Sequence, residues 1–298
     1  MKKEKIKYLV LSDIHLGHNI NKSDLIIQNL TTYFNEYKKQ LQDLDIIFLA
    51  GDIFDRLLPS SSHDLIASTV WLTELILYCK EKNIKLRILE GTPSHDWKQS
   101  KLISSIIDKL NISIDYSYID TLYIEQMEDL GLSILYVPDE YKHKAEDTWK
   151  DVNKLLKEKH LKEVDIAIMH GQFHYQLPMI RLESSHNEED YLSIVKYYIS
   201  IGHIHTHSVR DRIIAQGSFD RLAHNEEEDK GGILITLDKT LGNSYMFLKN
   251  KNAMVFRTLK YEDKDLDYIL KDLDSICKDL PPLSNIKIRT NNHEELSK

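Results

Sequence analysis

Residues 6–17 read Ile-Lys-Tyr-Leu-Val-Leu-Ser-Asp-Ile-His-Leu-Gly, an apolar run that stops on Asp13, His15 and Gly17. The apolar part, IKYLVLS (6–12), is short and aliphatic, as a buried strand is. Five later runs have the same form: DIIFLA (45–50), IKLRILE (84–90), LSILYV (132–137), VDIAIMH (164–170) and KYYISIGH (196–203). Between them apolar residues return at helical spacing: Ile26, Leu30, Phe34, Tyr37 and Leu41; Leu65, Thr69, Leu72, Ile76 and Cys79; Trp149, Val152 and Leu156. Strand alternating with helix argues for an α/β architecture. From about residue 211 the runs RIIAQGS, GGILITLD, SYMFLK and AMVFRTLKY follow one another without helices, which predicts a second, antiparallel-rich sheet packed on the first. Beyond residue 261 come a charged helix over 264–279, a break at Pro281 and Pro282, a strand-like NIKIRT and a polar tail, NNHEELSK, expected to fray. The expected division is a main domain over 1–260 and a short accessory or incomplete capping segment over 261–298.

The 298 residues are enough for one large domain or two, with a core that needs no disulfide staples. Two distant cysteines, Cys79 and Cys277, exclude a disulfide framework and a Cys-rich zinc module, and fit a reducing cytoplasm. No charge-free apolar stretch is long enough for a membrane helix, so no membrane partner is expected. Asp13 comes too early for the start to be a signal peptide. The net charge, 39 − 47 = −8, argues against holding nucleic acid on a broad basic surface, but not against gripping phosphate through metals. The basic clusters at 2–7 and 249–251 are modest.

Polar residues mark the strand ends. The first run ends in Asp13-Ile14-His15, the second in Gly51-Asp52-Ile53-Phe54-Asp55, and the third in Gly91-Thr92-Pro93-Ser94-His95-Asp96. The later two end in His170-Gly171 and Gly202-His203-Ile204-His205. In open α/β sheets ligands bind at the carboxyl ends of strands, so five such ends are expected to converge on one rim. Asp-x-His and His-x-His place alternate side chains on one side of an extended segment. Mixed carboxylate and imidazole donors suit manganese, iron or zinc rather than a purely oxygen-liganded cation.

These segments, in this order, resemble the calcineurin-like metallophosphoesterases, whose pattern is Asp-x-His, Gly-Asp-x-x-Asp, Gly-Asn-His-Asp, His, and Gly-His-x-His. Four of the five are matched over residues 13–205, and the third is altered. Gly217-Ser218-Phe219-Asp220-Arg221-Leu222, DIHLG and GDIFD are closest to the branch of SbcD-type DNA-repair nuclease subunits. The resemblance implies a four-layer αββα sandwich of two mixed β-sheets and hydrolysis of DNA phosphodiesters, as an exonuclease and single-strand endonuclease. It implies two divalent metal ions, foremost Mn2+, with Fe2+, Zn2+ and Mg2+ as alternatives. Asp13, His15 and His205 would hold one ion, His170 and His203 the other, and Asp52 both. His95 would be the catalytic proton donor. Two ions about 3.5–4 Å apart clamp the oxygens of an in-line displacement. An SbcC-like coiled-coil ATPase and a second copy of the chain are the partners that the resemblance implies.

The departure is the loop GTPSHD, longer by two than GNHD, with Ser94 where the family has a ligating Asn. Ser94, Thr92, a backbone carbonyl or water can each fill that position, and weaker occupancy of the second ion is expected.

Plainer readings stand beside these. Asp13 and Asp52 are acceptable helix N-caps, and His95 is acceptable as a solvated loop residue. Asp55 either caps a turn or supports a ligand from behind. Asp96 either orients His95 or caps a helix over 97–109. His18, His174 and His207 are expected not to ligate. The acidic run at 226–229 reads as solvated loop unless Lys230 or Arg221 pairs with it, and Arg221 suits phosphate or structural pairing. Cys79 reads as core. The rival functions are a phosphodiesterase for small phosphodiesters and a non-catalytic scaffold of the same fold.

Overall fold

In the first strand Tyr8 and Val10 are buried in one apolar cluster and Leu9 and Leu11 in another. Successive side chains point to opposite faces of a strand, so this sheet is covered on both sides. The computed structural model describes residues 3–177 and 182–291. Lys2, from the N-terminal basic cluster, and the tail from 292 lie outside the described residues.

The first half of the chain runs β1 (Lys5–Leu11), α1 (Ser23–Glu36), β2 (Ile46–Ala50), α2 (His63–Lys82), β3 (Lys85–Leu89), α3 (Pro93–Asp96), α4 (Leu102–Lys109) and β4 (Tyr116–Ile119). Then come β5 (Tyr123–Met127), β6 (Leu132–Val137), α5 (Ala145–Glu158), β7 (Val164–Gly171), α6 (Glu188–Ile194), β8 (Val195–His203), β9 (Ser208–Arg210) and β10 (Ile213–Ala215). The last elements are β11 (Gly231–Asp238), β12 (Ser244–Lys249), β13 (Phe256–Tyr261), α7 (Leu266–Asp279) and β14 (Asn285–Thr290).

One sheet has the order β12-β11-β1-β2-β3-β4 and the other β5-β6-β7-β8-β10-β9. Both are mixed. β1 to β4 are parallel with β11 and β12 antiparallel beside them. β6, β7, β8 and β10 are parallel, with antiparallel edges at β5 and β9. The faces between the sheets pack as one cluster, including Tyr8, Val10, Phe48, Tyr136, Ile168 and Ile233. Helices α1, α2 and α4 cover the outer face of the first sheet, and α5 and α6 cover that of the second. The fold is therefore the expected four-layer αββα sandwich. Burying one such side chain contributes about 1.5–3 kcal/mol, which explains why the central strands read as continuous apolar runs.

Two expectations need correction. The strands after residue 211 do not form the second sheet by themselves. β11 and β12 extend the first sheet and β10 joins the second, whose frame is β5 to β8. A helix over 97–109 is also not continuous: Trp97 and Lys98 have φ of 48° and 56°, which breaks the chain between α3 and α4. β13 and β14 pair in parallel across α7, a unit that straddles residue 260. No helix among the described residues is long and apolar enough to cross a membrane.

Candidate metal centre

The carboxyl ends of β1, β2 and β3 in one sheet meet those of β7 and β8 in the other. The backbone amide of His203 donates to Asp13 Oδ1 at 2.9 Å, and His170 Nδ1 lies 2.7 Å from the carbonyl of Ala50. Both contacts tie sheet to sheet. Asp13, His15, Asp52 and His203 all have positive φ, 50°, 55°, 50° and 94°. L-residues avoid this region, and its cost of order 1 kcal/mol or more persists only where the surroundings enforce it. Here the strands turn sharply as they leave the sheets, which swings each side chain onto the common rim.

Three overlapping groups result: Asp13, His15 and His205; His15, Asp52 and His95; Asp52, His170 and His203. Within each, the ligand atoms lie within 4.8 Å of one another. These buried clusters are able to hold divalent ions, on two observations. His15 Nδ1 lies 3.2 Å from Asp55, and His205 Nδ1 lies 2.7 Å from Glu226. Carboxylates accept, so Nδ1 carries a proton on each ring, and the two Nε2 atoms face one another at 3.1 Å. Asp13 Oδ1 is 3.8 Å from His205 Nε2, and Asp52 Oδ2 is 3.9 Å from His15 Nε2. With both rings neutral this is a cage of acceptors that a cation relieves; without metal, burial opposes charge on His205 but Glu226 and Asp13 outweigh it and raise its imidazole, so a proton on Nε2 does the same. The second observation is His170 Nε2, fully buried and without a hydrogen-bond partner, although the Asp52 carboxylate is 3.3 Å away. A buried orphan of this kind is costly unless a ligand completes it.

Without metal, the centre is held by mutual ionisation. Burial opposes charge on Asp52, but the charge of His170 3.3 Å away and the His95 hydrogen bond outweigh it and hold the carboxyl well below its usual range. Burial likewise opposes a charged His170, and Asp52 overrides it to raise the imidazole well above its ordinary value. His95 Nδ1 is 2.8 Å from Asp52 Oδ2, and this bond raises the His95 imidazole. Burial and the neighbouring His170 lower that of His203.

The neighbours of the candidate ligands settle several open readings. Asp55 supports His15 from behind. Asp96 neither orients His95 nor caps a helix that follows it. Its buried carboxyl accepts from the amides of Gly91, Asp52 and Phe54, at 2.8, 3.1 and 2.9 Å, so it braces the loop that presents Asp52. Burial, with Asp52 and Glu90 nearby, pushes that carboxyl up to about 8. Arg221 donates to the carbonyls of Glu228, Ala253 and Met254, a structural pairing. His18, His174 and His207 belong to none of the three groups.

Ser94 requires correction as a ligand. It is exposed on α3. Thr92 instead turns its hydroxyl inward, 3.1 Å from Asp52 Oδ2, 3.1 Å from Asp139 Oδ2 and 3.3 Å from His203 Nδ1. Pro93 starts α3 directly after Thr92, so the extra residues lift Ser94 onto the helix surface. Thr92→Val is expected to weaken binding of the second ion by about 10- to 100-fold, and Ser94→Ala to leave it unchanged, in calorimetric manganese titrations. Equal effects of the two would overturn the assignment.

Sequence reading missed Asp139 and Glu226. Asp139 follows β6 after one proline, so a strand-end carboxylate was there to be noticed. Glu226 lies in the run read as solvated unless Lys230 or Arg221 pairs with it; Lys230 does, its buried ammonium 3.2 Å away, and Glu226 is buried against His205, a contact the sequence did not reveal. Burial works against its ionisation, but His205, Lys230 and the Leu222 amide pull it from its ordinary 4.5 down to about 2. A lowered acid stabilises the fold above its unfolded value and loses that contribution on acidification. In metal-free protein, Glu226→Gln should therefore flatten the fall of Tm between pH 4.5 and about 2. At neutral pH it should weaken metal binding by about 10- to 100-fold.

No family model matches this sequence, and no curated protein matches it. Among solved structures, the chain is similar to GAP50, described as the anchor in the inner membrane complex of Plasmodium. Identity there is 15%, TM-score 0.48, with 84% of this chain and 86% of that chain covered. It is also similar to TT1561 of Thermus thermophilus, at 12% identity and TM-score 0.44, with 81% and 98% covered. Neither likeness assigns an activity to this chain.

Proposed function

We propose that this protein is a metal-dependent phosphodiesterase acting on DNA. The observation that carries the reading is the pair of ring nitrogens of His15 and His205, facing each other at 3.1 Å with Asp13 and Asp52 beside them. Asp13, His15 and His205 would hold one ion, and His170 and His203, with the Thr92 hydroxyl, the second. Asp52 lies between the two sets. Nitrogen and oxygen donors mixed in this way suit manganese, with iron, zinc and magnesium as alternatives. Bound divalent ions polarise phosphoryl oxygens and bring the pKa of water towards neutrality.

The chain's own residues do the rest. Asp55 and Glu226 fix the tautomers and orientations of His15 and His205. His95 is about one-third exposed, so it is reachable from solvent. Its Nδ1 is taken by Asp52, which leaves Nε2 to carry the proton that a departing sugar oxygen needs. The Asp52 bond raises the His95 imidazole and so favours its acid form. DNA as the substrate rests on the sequence likeness to SbcD-type nucleases. The test compares hydrolysis of a small chromogenic phosphodiester and of single-stranded DNA in manganese. Cleavage of both supports the reading, cleavage of the small ester alone removes DNA from it, and cleavage of neither removes the enzyme.

A further inference from the structure

The loop that carries His95 ends in a costly way. Trp97 and Lys98 occupy consecutive left-handed positions, although neither is glycine or asparagine, and a bulky residue at positive φ is a true outlier. The surroundings enforce the bend. Asp96 is buried among three backbone amides. The amide of Lys98 donates to Glu90 Oε1 at 2.7 Å. Gln99 bridges to the 55–58 loop, through the carbonyl of Arg56 at 2.8 Å and the amide of Leu58 at 2.7 Å. The product of this bracing is an indole 55% exposed to solvent, two residues beyond His95. Its polar edge is already satisfied, because Nε1 donates to the carbonyl of Ser94 at 2.7 Å. What the ring offers outward is therefore an oriented π-surface. Lys98 follows it in the chain, and Lys98 and Lys101 both approach the carboxylate of Asp120, at 3.2 and 3.1 Å.

We propose that Trp97 is a stacking platform for an unpaired nucleobase flanking the phosphodiester at the metal centre, and so a determinant of specificity for base-bearing single strands. This rests on the proposed phosphodiesterase reading. The ligand fits because a nucleobase presents a flat ring that stacks on an exposed indole whose polar edge is already satisfied. A ring held in advance pays little ordering entropy when the base arrives.

The test is a two-by-two binding comparison in calcium in place of manganese, by fluorescence anisotropy. It uses a short oligothymidylate and its abasic tetrahydrofuran analogue with the same phosphates. Wild type should bind the base-bearing oligomer about 5- to 100-fold more tightly than the abasic one. Trp97→Ala should lose that preference, and Trp97→Phe should restore most of it. Equal loss on both oligomers in Trp97→Ala, or an unchanged preference, would overturn the stacking role. It would leave the phosphodiesterase reading standing if manganese-dependent cleavage persists. No preference for the base-bearing oligomer in wild type would also overturn it.

Discussion

Asp52→Asn should retain the fold and lose the activity. The carboxylate takes part in two of the three ligand groups, and His95 Nδ1, His170 Nε2 and the Thr92 hydroxyl all lie within 3.3 Å of its Oδ2. Asparagine keeps the shape, and its carbonyl can still accept the Thr92 amide that now bonds Oδ1. It removes the negative charge that would be shared between two cations, and it turns an NH2 donor towards groups that need an acceptor. DNA cleavage in manganese is therefore expected to fall on the order of 10³-fold, with circular dichroism unchanged. Metal content should fall with it, as measured by elemental analysis after dialysis. Retained cleavage would show that the reacting centre lies elsewhere.

Gly51→Ala is expected to fail more broadly, because two costs coincide there. Gly51 has φ of +90°, where an L side chain strains the backbone by about 1–3 kcal/mol. A Cβ at that position would overlap the His170 ring, 2.6 Å from Cγ, and would stand 2.8 Å from the Cα of Gly91. Neither neighbour can yield. The His170 ring is fully buried and tied to Ala50, and the Gly91 amide is held by Asp96. Overpacking of this kind adds about 1–3 kcal/mol of destabilisation. Thermal melting should register a fall of roughly 5 °C or more, and any folded fraction should cleave DNA at least about 100-fold more slowly, since His170 is displaced. A variant with wild-type Tm would mean that the two sheets are less tightly joined at the rim than the Ala50–His170 contact indicates.

Most of the layer structure was legible because the sandwich buries each central strand on both faces. Apolar runs such as 6–12 and 164–170 therefore stand out, and the ligand candidates sit where those runs stop. Edge elements were harder. β5 reads YIEQM, with Tyr123 exposed, and β4 reads YSYI, mostly half-buried, so neither makes an apolar run. The partition of the late strands between two sheets depends on long-range pairing, which local pattern does not encode. In the centre, the Asp and His residues that converge into the three candidate groups were readable from residue type and position. Thr92 was not singled out over Ser94, because only the start of α3 at Pro93 decides which hydroxyl turns inward. The break at Trp97 and Lys98 was invisible because nothing in either residue type signals a left-handed bend. For Glu226 the stated exception, pairing with Lys230, is the one that holds; its contact with His205 depends on long-range folding that local reading does not reach.

The most direct test of the central claim is digestion of end-labelled single-stranded DNA by metal-stripped protein, with manganese restored in one arm and EDTA kept in the other. The account predicts cleavage in manganese and none in EDTA. Equal cleavage in both arms, or none in manganese while ions are bound, would contradict it.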